Sequence, residues 1–362
     1  MIPPLAGWIA LGAVLAAFSF LTSQQSQTWK NAESLWRHAI AVTGQNYVAH
    51  NQLGLALLES GRFEEGVAEL KNSNKANPKV PLALGNLSMA YAKQGQFEEA
   101  LAWFKKAGEG LPDRDRYRKE LASACLATGN ADLAEKLWEN GIKESPDDPD
   151  VHLDAADFFY QQGDPEKALT YYHRAAELGS KNIRATQSVG AILLKRRKVE
   201  EALPFLERSV SMKAPPAEAA SARRTLAQAY LLQRNWTASL QQYSEAVSLA
   251  PEQHVAVNEF AQLLLQCPEK SLQNPSRALE LATTLPVQNL AEGEIPNPRY
   301  LVTLATAHSR TGNSGRAGKV AAAGLKVLDI ISQKEPLSEP WTTEEIESLR
   351  KRLQQVIPAA QE

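Results

Sequence analysis

Residues Asn51–Leu70 read "NQLGLALLESGRFEEGVAEL", and residues Gly85–Phe104 read "GNLSMAYAKQGQFEEALAWF". The two stretches align without a gap at an offset of 34 residues, and the period persists on both sides. With Tyr47 as the first slot, units begin at Tyr47, Pro81, Asp115, Pro149 and Ile183. After three extra residues, further units begin at Ala220, His254 and Pro298. Self-similarity at such a period marks an array in which each unit buries its apolar face only against its neighbours.

The slots carry physical meaning. The eighth is small in every unit: Gly54, Ser88, Ala122, Ala156, Gly190, Ala227, Ala261 and Ala305. The twentieth is small too, with Gly66, Ala100, Ala134, Ala168, Ala202, Ser239, Ala278 and Ala317. Large apolar residues stand between them, such as Leu53 and Leu87 at the seventh slot and Phe104, Trp138, Tyr172 and Tyr243 at the twenty-fourth. Small side chains let two helices approach closely, and large ones interlock around the contact. Gly61, Gly95, Gly129, Gly163 and Gly312 recur where a first helix should end in a left-handed residue. Pro78, Pro112, Pro146 and Pro251 recur where a second helix must stop. Each unit reads as a helical hairpin.

This pattern resembles the tetratricopeptide repeat (TPR) over residues 47–331, in eight units. The resemblance implies an all-α solenoid, a right-handed superhelix of helical hairpins. The seventh unit departs from the pattern by a longer turn, "CPEKSLQNPS", and the eighth by His308 in an aromatic slot. Residues 332–362 read as a linker and a capping helix, with Ile346, Leu349, Leu353 and Val356 on one face.

Ahead of the array, Leu5–Thr22 is a charge-free apolar run, long enough at 1.5 Å per residue to cross hydrocarbon. Residues 1–27 therefore read as one N-terminal transmembrane anchor with a short exit. A cleaved signal, cut near Ala17 and Ser19, is the rival, but no basic residue precedes the run. Residues 28–46 fit the second helix of a partial repeat, with Ala32, Trp36 and Ala39 in the small, bulky and small slots. The first-helix slots of that partial repeat overlap the apolar run. The junction "WKNAESLWRHAI…NYVAHNQLG" is similar to the place in transmembrane-and-TPR proteins related to O-mannosyltransferases where the last membrane helix meets the repeats. That resemblance implies repeats outside the cytoplasm and a polytopic membrane enzyme as a partner. Lys30 and Arg37, just after the run, lean the other way.

Composition excludes several classes. A formal net charge of −2 leaves no electrostatic footprint for nucleic acid. Cys125 and Cys267 are too few for a disulfide framework. The six histidines show no metal-ligand spacing, and no catalytic, cofactor or metal constellation stands out. "DRD" at Asp113–Asp115 and "DPD" at Asp148–Asp150 sit at unit junctions, where aspartate caps a helix. "GNSGRAGKV" at Gly312–Val320 joins two helices and lacks the spacing of a phosphate loop.

The expected function is a non-catalytic, membrane-anchored scaffold that binds a protein or peptide on a face lined by first helices. The alternative is the substrate-presenting part of a membrane O-glycosyltransferase acting on proteins. Slots two, five, six, nine and thirteen should face the groove, giving Asn51, Leu55, Asn86, Met89, Arg116, Lys119 and Glu120 as candidates. Co-chaperone TPR proteins grip a terminal carboxylate with a lysine, two asparagines and a basic pair. Asn86 and Arg116 match that set, whereas Asn51, Leu55 and Glu120 break it. Asp150, Asp154 and Asp157 make the fourth unit acidic, suited to a basic or polar segment, or else simply a solvated helix face.

Overall fold

The computed structural model describes residues 13–23, 29–287, 295–333 and 341–357, and among these there is no strand. The chain opens with α1 at 13–23, α2 (Ala32–Thr43), α3 (Tyr47–Glu59), α4 (Phe63–Ala76), α5 (Leu82–Lys93) and α6 (Phe97–Ala107). It continues with α7 (Arg114–Ala127), α8 (Ala131–Glu144), α9 (Pro149–Gln161), α10 (Pro165–Glu177), α11 (Ile183–Lys195) and α12 (Val199–Ser211). Then come α13 (Pro216–Leu232), α14 (Trp236–Leu249), α15 (His254–Gln266), α16 (Pro275–Thr283), α17 (Pro298–Arg310), α18 (Ser314–Ser332) and α19 (Thr343–Val356). They fall into two compact units, with the boundary inside α9 between Ala155 and Ala156.

Local chemistry sets many of the helix ends. Asp164, Asn274 and Asn297 each accept a backbone N–H of the following turn, and each is followed by proline at the first helical position. First helices end in a left-handed residue: Gly61, Gly95, Gly129, Gly163 and Gly312 have φ of 76, 74, 81, 77 and 82°. Arg197 and Arg234 hold the same place in the fifth and sixth hairpins at φ 60 and 62°, where an L side chain is strained.

Inside each hairpin the small slots meet. A Cβ on Gly66 would lie 2.9 Å from the carbonyl oxygen of Gly54, so this pair of backbones approaches as closely as glycine permits. In the sixth hairpin Ser239 donates from its hydroxyl to the carbonyl of Ala227 at 2.9 Å, joining the same two slots. Around these contacts Leu53, Leu57, Leu70, Leu87, Leu121 and Trp138 are almost fully buried in the first unit. In the second unit Leu206, Tyr243, Leu265 and Leu328 are buried in the same way. First helices of successive hairpins also touch, α3 with α5, α5 with α7, α11 with α13 and α15 with α17. The insertion in the seventh hairpin forms a 3-10 turn at Lys270–Leu272, with Leu272 packed against the core and Asn274 donating to the Leu264 carbonyl at 3.0 Å. α19 covers α17 and α18 with Ile346, Leu349 and Leu353. Cys125 and Cys267 are unpaired and buried, and burial pushes the Cys125 thiol up to about 11.

The N-terminal expectation is overturned. No helix among the described residues is long and apolar enough to cross a membrane. The described part of α1, residues 13–23, rises roughly 16 Å at 1.5 Å per residue, against about 30 Å of hydrocarbon. The single-pass anchor at residues 5–22 is therefore not supported, and the membrane localisation expected from it, with the repeats outside the cytoplasm, is not supported either. Residues 5–12 of that run lie outside the described residues. Every described residue of α1 is exposed, so it gives α2 no first-helix face to pack on. α2 instead rests on α3, and Glu33 of α2 pairs with Arg62 at 2.8 Å. Arg37 and then Arg62, both hydrogen-bonded to Glu33, hold its carboxyl below the usual range.

Candidate functional site

The ten candidate residues lie on four successive first helices: α3, α5, α7 and α9. Much of their polarity is consumed between hairpins. Asn51, 5% exposed, accepts from the Asn86 amide at 2.8 Å, and Asn86 in turn accepts from the Tyr117 hydroxyl at 2.8 Å. Lys119 pairs with Asp154 at 2.6 Å. In the second unit Gln187 donates to Thr225 at 3.3 Å, Arg224 pairs with Glu259 at 3.3 Å, and Thr303 donates to Asn258 at 2.7 Å. All five pairs join the fifth slot of one hairpin to the sixth slot of the next. The reason is geometric, because those two slots flank the contact between successive first helices. Where the fifth slot is Gly85, no side chain is available to meet Glu120, which remains exposed.

Two of the three aspartates are paired in place. Asp157 accepts from the Tyr172 hydroxyl at 2.7 Å and pairs with Arg184. Asp154 holds Lys119. Asp150 is exposed, and its backbone N–H donates to the Asp148 carboxylate at 2.9 Å, so Asp148 serves the start of α9. Asp113 makes no cap hydrogen bond and sits in a left-handed turn at φ 52°. Burial pushes the Tyr117 and Tyr172 hydroxyls up, which keeps both as donors. Arg116 is exposed, with its guanidinium 5.1 Å from the centre of the Tyr117 ring.

Leu55, Asn86 and Met89 come together. They line a cleft of about 140 Å³ between α3 and α5, closed by Leu58, Phe63 and Ala90, with exposed Lys93 on its rim. Leu55 and Met89 are half-buried, and Val48 at the start of the same face is 44% exposed. The slot reading did not mark Leu58 and Phe63 as groove residues, because they come from the end of α3 and the start of α4. It also missed Glu259, which accepts from Arg224, Gln228 and the Tyr243 hydroxyl. A carboxylate in the sixth slot near a tyrosine in the twenty-fourth was the available signal. Among the described residues no group of three or more His, Cys, Asp or Glu side chains is arranged to hold a metal ion.

Known proteins carry the same repeat. Among solved structures, the C-terminal part of a TPR repeat-containing protein from Cytophaga hutchinsonii is 16% identical and covers 65% of this chain and 95% of its own, with a TM-score of 0.47. MamA from Desulfovibrio magneticus, residues 41 to the end, is 23% identical and covers 50% of this chain and 97% of its own, with a TM-score of 0.40. A tetratricopeptide repeat-containing protein of Caenorhabditis elegans, trd-1, is 32% identical over 134 residues, which is 37% of this chain. The match spans 16% of that protein's length. None of these likenesses shows the resemblance of the junction to mannosyltransferase-like proteins. The tetratricopeptide repeat description matches residues 51–115, 119–183 and 190–254, together more than half of the sequence, and the chain belongs to that family.

Proposed function

We propose that the protein is a non-catalytic scaffold that receives a partner polypeptide on its first-helix face, with an apolar side chain of the partner seated between Leu55 and Met89. The cleft there carries the reading. It is side-chain sized at about 140 Å³, with Leu55, Leu58, Phe63, Met89 and Ala90 as apolar walls and exposed Glu59 and Lys93 at its rim. The polar neighbours Asn51 and Asn86 are already paired with each other, so they do not compete for the ligand. With slots five and six engaged between hairpins, recognition passes to slots nine and thirteen, where Leu55, Met89 and Lys93 are half-buried or exposed. Lys93 at the end of α5 favours an acidic residue next to the apolar anchor, on the side away from Glu59 at the end of α3. The lost terminal-carboxylate clamp fits this reading, since Asn51 is buried as a hydrogen-bond partner instead of pointing at a ligand.

Selection of a displayed random-peptide library on the purified full chain tests the proposal. Enriched peptides should share an apolar residue beside an acidic one. Their affinity should fall by about tenfold or more, roughly 1.4 kcal/mol, for Leu55→Asp and for Met89→Asp. Both substitutions fall on half-buried side chains at the edge of the cleft, and unchanged helical circular dichroism would show that the fold survives. Selected peptides that bind both variants as tightly as the parent would refute the assignment.

A further inference from the structure

A second cleft, of about 590 Å³, opens between the second helices α6 and α8. Its origin is a shortened helix. α6 has 11 residues where α4 and α8 have 14, and it closes at Gly108 with φ 67°. Arg114 caps the truncated end, donating to the carbonyls of Phe104 and Gly108 at 3.3 and 2.7 Å while its guanidinium lies 4.2 Å from the Phe104 ring centre. Arg114 and Arg118 converge on Glu144 at 3.0 and 2.9 Å. Arg118 is 1% exposed and also pairs with Asp115, yet its Nε–H has no hydrogen-bond partner. Gly141 is required beside it, because a Cβ there would lie 2.7 Å from the guanidinium carbon.

The lining is amphipathic and basic. Leu101 and Phe104 form one wall, and Leu133 and Leu137 the other. Lys105, Lys136 and Lys143 stand exposed around the mouth, none in an ion pair, so five cations line the cleft against Glu109 and Glu144.

We propose that this cleft is a second docking site, for an acidic amphipathic peptide segment of a partner protein. One apolar side chain of that segment enters between Leu101 and Leu137. Its flanking carboxylates meet Lys105, Lys136 and Lys143. The site is independent of the cleft at Leu55 and Met89. Electrostatic complementarity of this kind sets partner choice and on-rate, and it weakens with salt.

The test uses a fluorescently labelled peptide of alternating leucine and glutamate, titrated against the full chain by polarisation. A leucine–glutamine peptide and a single-stranded oligonucleotide serve as the other probes. The expected result is binding of the glutamate peptide alone, weakened about tenfold by the triple variant K105E/K136E/K143E. The control K181E/K213E/K270E, of equal charge change at exposed sites elsewhere, should bind as the parent does. In the Met89→Asp background, which disables the first-helix cleft, the glutamate peptide should still bind and should still weaken about tenfold on adding K105E/K136E/K143E. Equal binding of the glutamine peptide, equal loss in the control, or preference for the oligonucleotide would overturn the proposal. Loss through Met89→Asp alone would place the peptide in the first-helix cleft instead.

Discussion

At the scale of the residue, the relay Tyr117–Asn86–Asn51 shows how a groove position becomes a structural one. Asn86 both accepts and donates, so Asn86→Ala strands the nearly buried Tyr117 hydroxyl and the Asn51 side chain together. Leaving a buried polar group unsatisfied costs about 1–3 kcal/mol, and Asn86→Ala should lose about 2 kcal/mol in chemical denaturation. Tyr117→Phe alone should lose about 1 kcal/mol, and the double variant should cost less than the sum, because the second change removes a group the first had stranded. Strict additivity would mean that the relay is not a unit. The sequence placed Asn51 and Asn86 correctly on first helices but could not show that they face each other. A slot pattern describes one hairpin at a time, and pairing across hairpins depends on which side chain reaches the next helix. The same limit applies to Lys119 and Asp154, which read as free charges and are in fact a pair.

At the scale of the element, the close approach inside each hairpin was legible, because only small residues occupy slots eight and twenty. What the pattern did not distinguish is glycine from alanine within those slots. In α4 a Cβ on Gly66 would meet the Leu58 Cγ at 2.7 Å and the Gly54 carbonyl at 2.9 Å, so Gly66→Ala must spread the hairpin. The expected loss is about 1–3 kcal/mol despite alanine's better helix propensity. In α18 a Cβ on Gly318 would meet nothing within 4 Å, so Gly318→Ala should gain up to about 1 kcal/mol. Urea melts of the two single variants check the pair, and the same sign in both would contradict the close-approach account. The shortening of α6 was less legible. Gly108 and Pro112 announce a stop, but the filling of the missing turn by Arg114 follows from a side chain six residues beyond the carbonyl it caps. The apolar run at the N-terminus misled as well. Hydropathy marked a candidate span there, whereas no helix among the described residues is long and apolar enough to cross a membrane.

At the scale of the whole molecule, an array of hairpins has mainly nearest-neighbour stability, so damage at one place should stay local. α19 offers the cleanest test. Leu353 is fully buried over Gly324 and Leu301, and Leu349 beside it is 4% exposed. Each truncation to alanine should cost about 2–5 kcal/mol locally. In L349A/L353A, hydrogen exchange should therefore quicken across α17 and α18, whose Leu301, Val302, Val327 and Leu328 share that cluster. Exchange in α3 to α6, which belong to the other compact unit, should stay at the parental rate. Polar capping of a hairpin array is what keeps such a cluster from water, and the exposed face of α19 is rich in Glu, Lys and Gln. A uniform rise in exchange from Tyr47 onward would instead mean that the chain opens as one cooperative body, so that a ligand gripped at Met89 would stabilise α18 as strongly as α5.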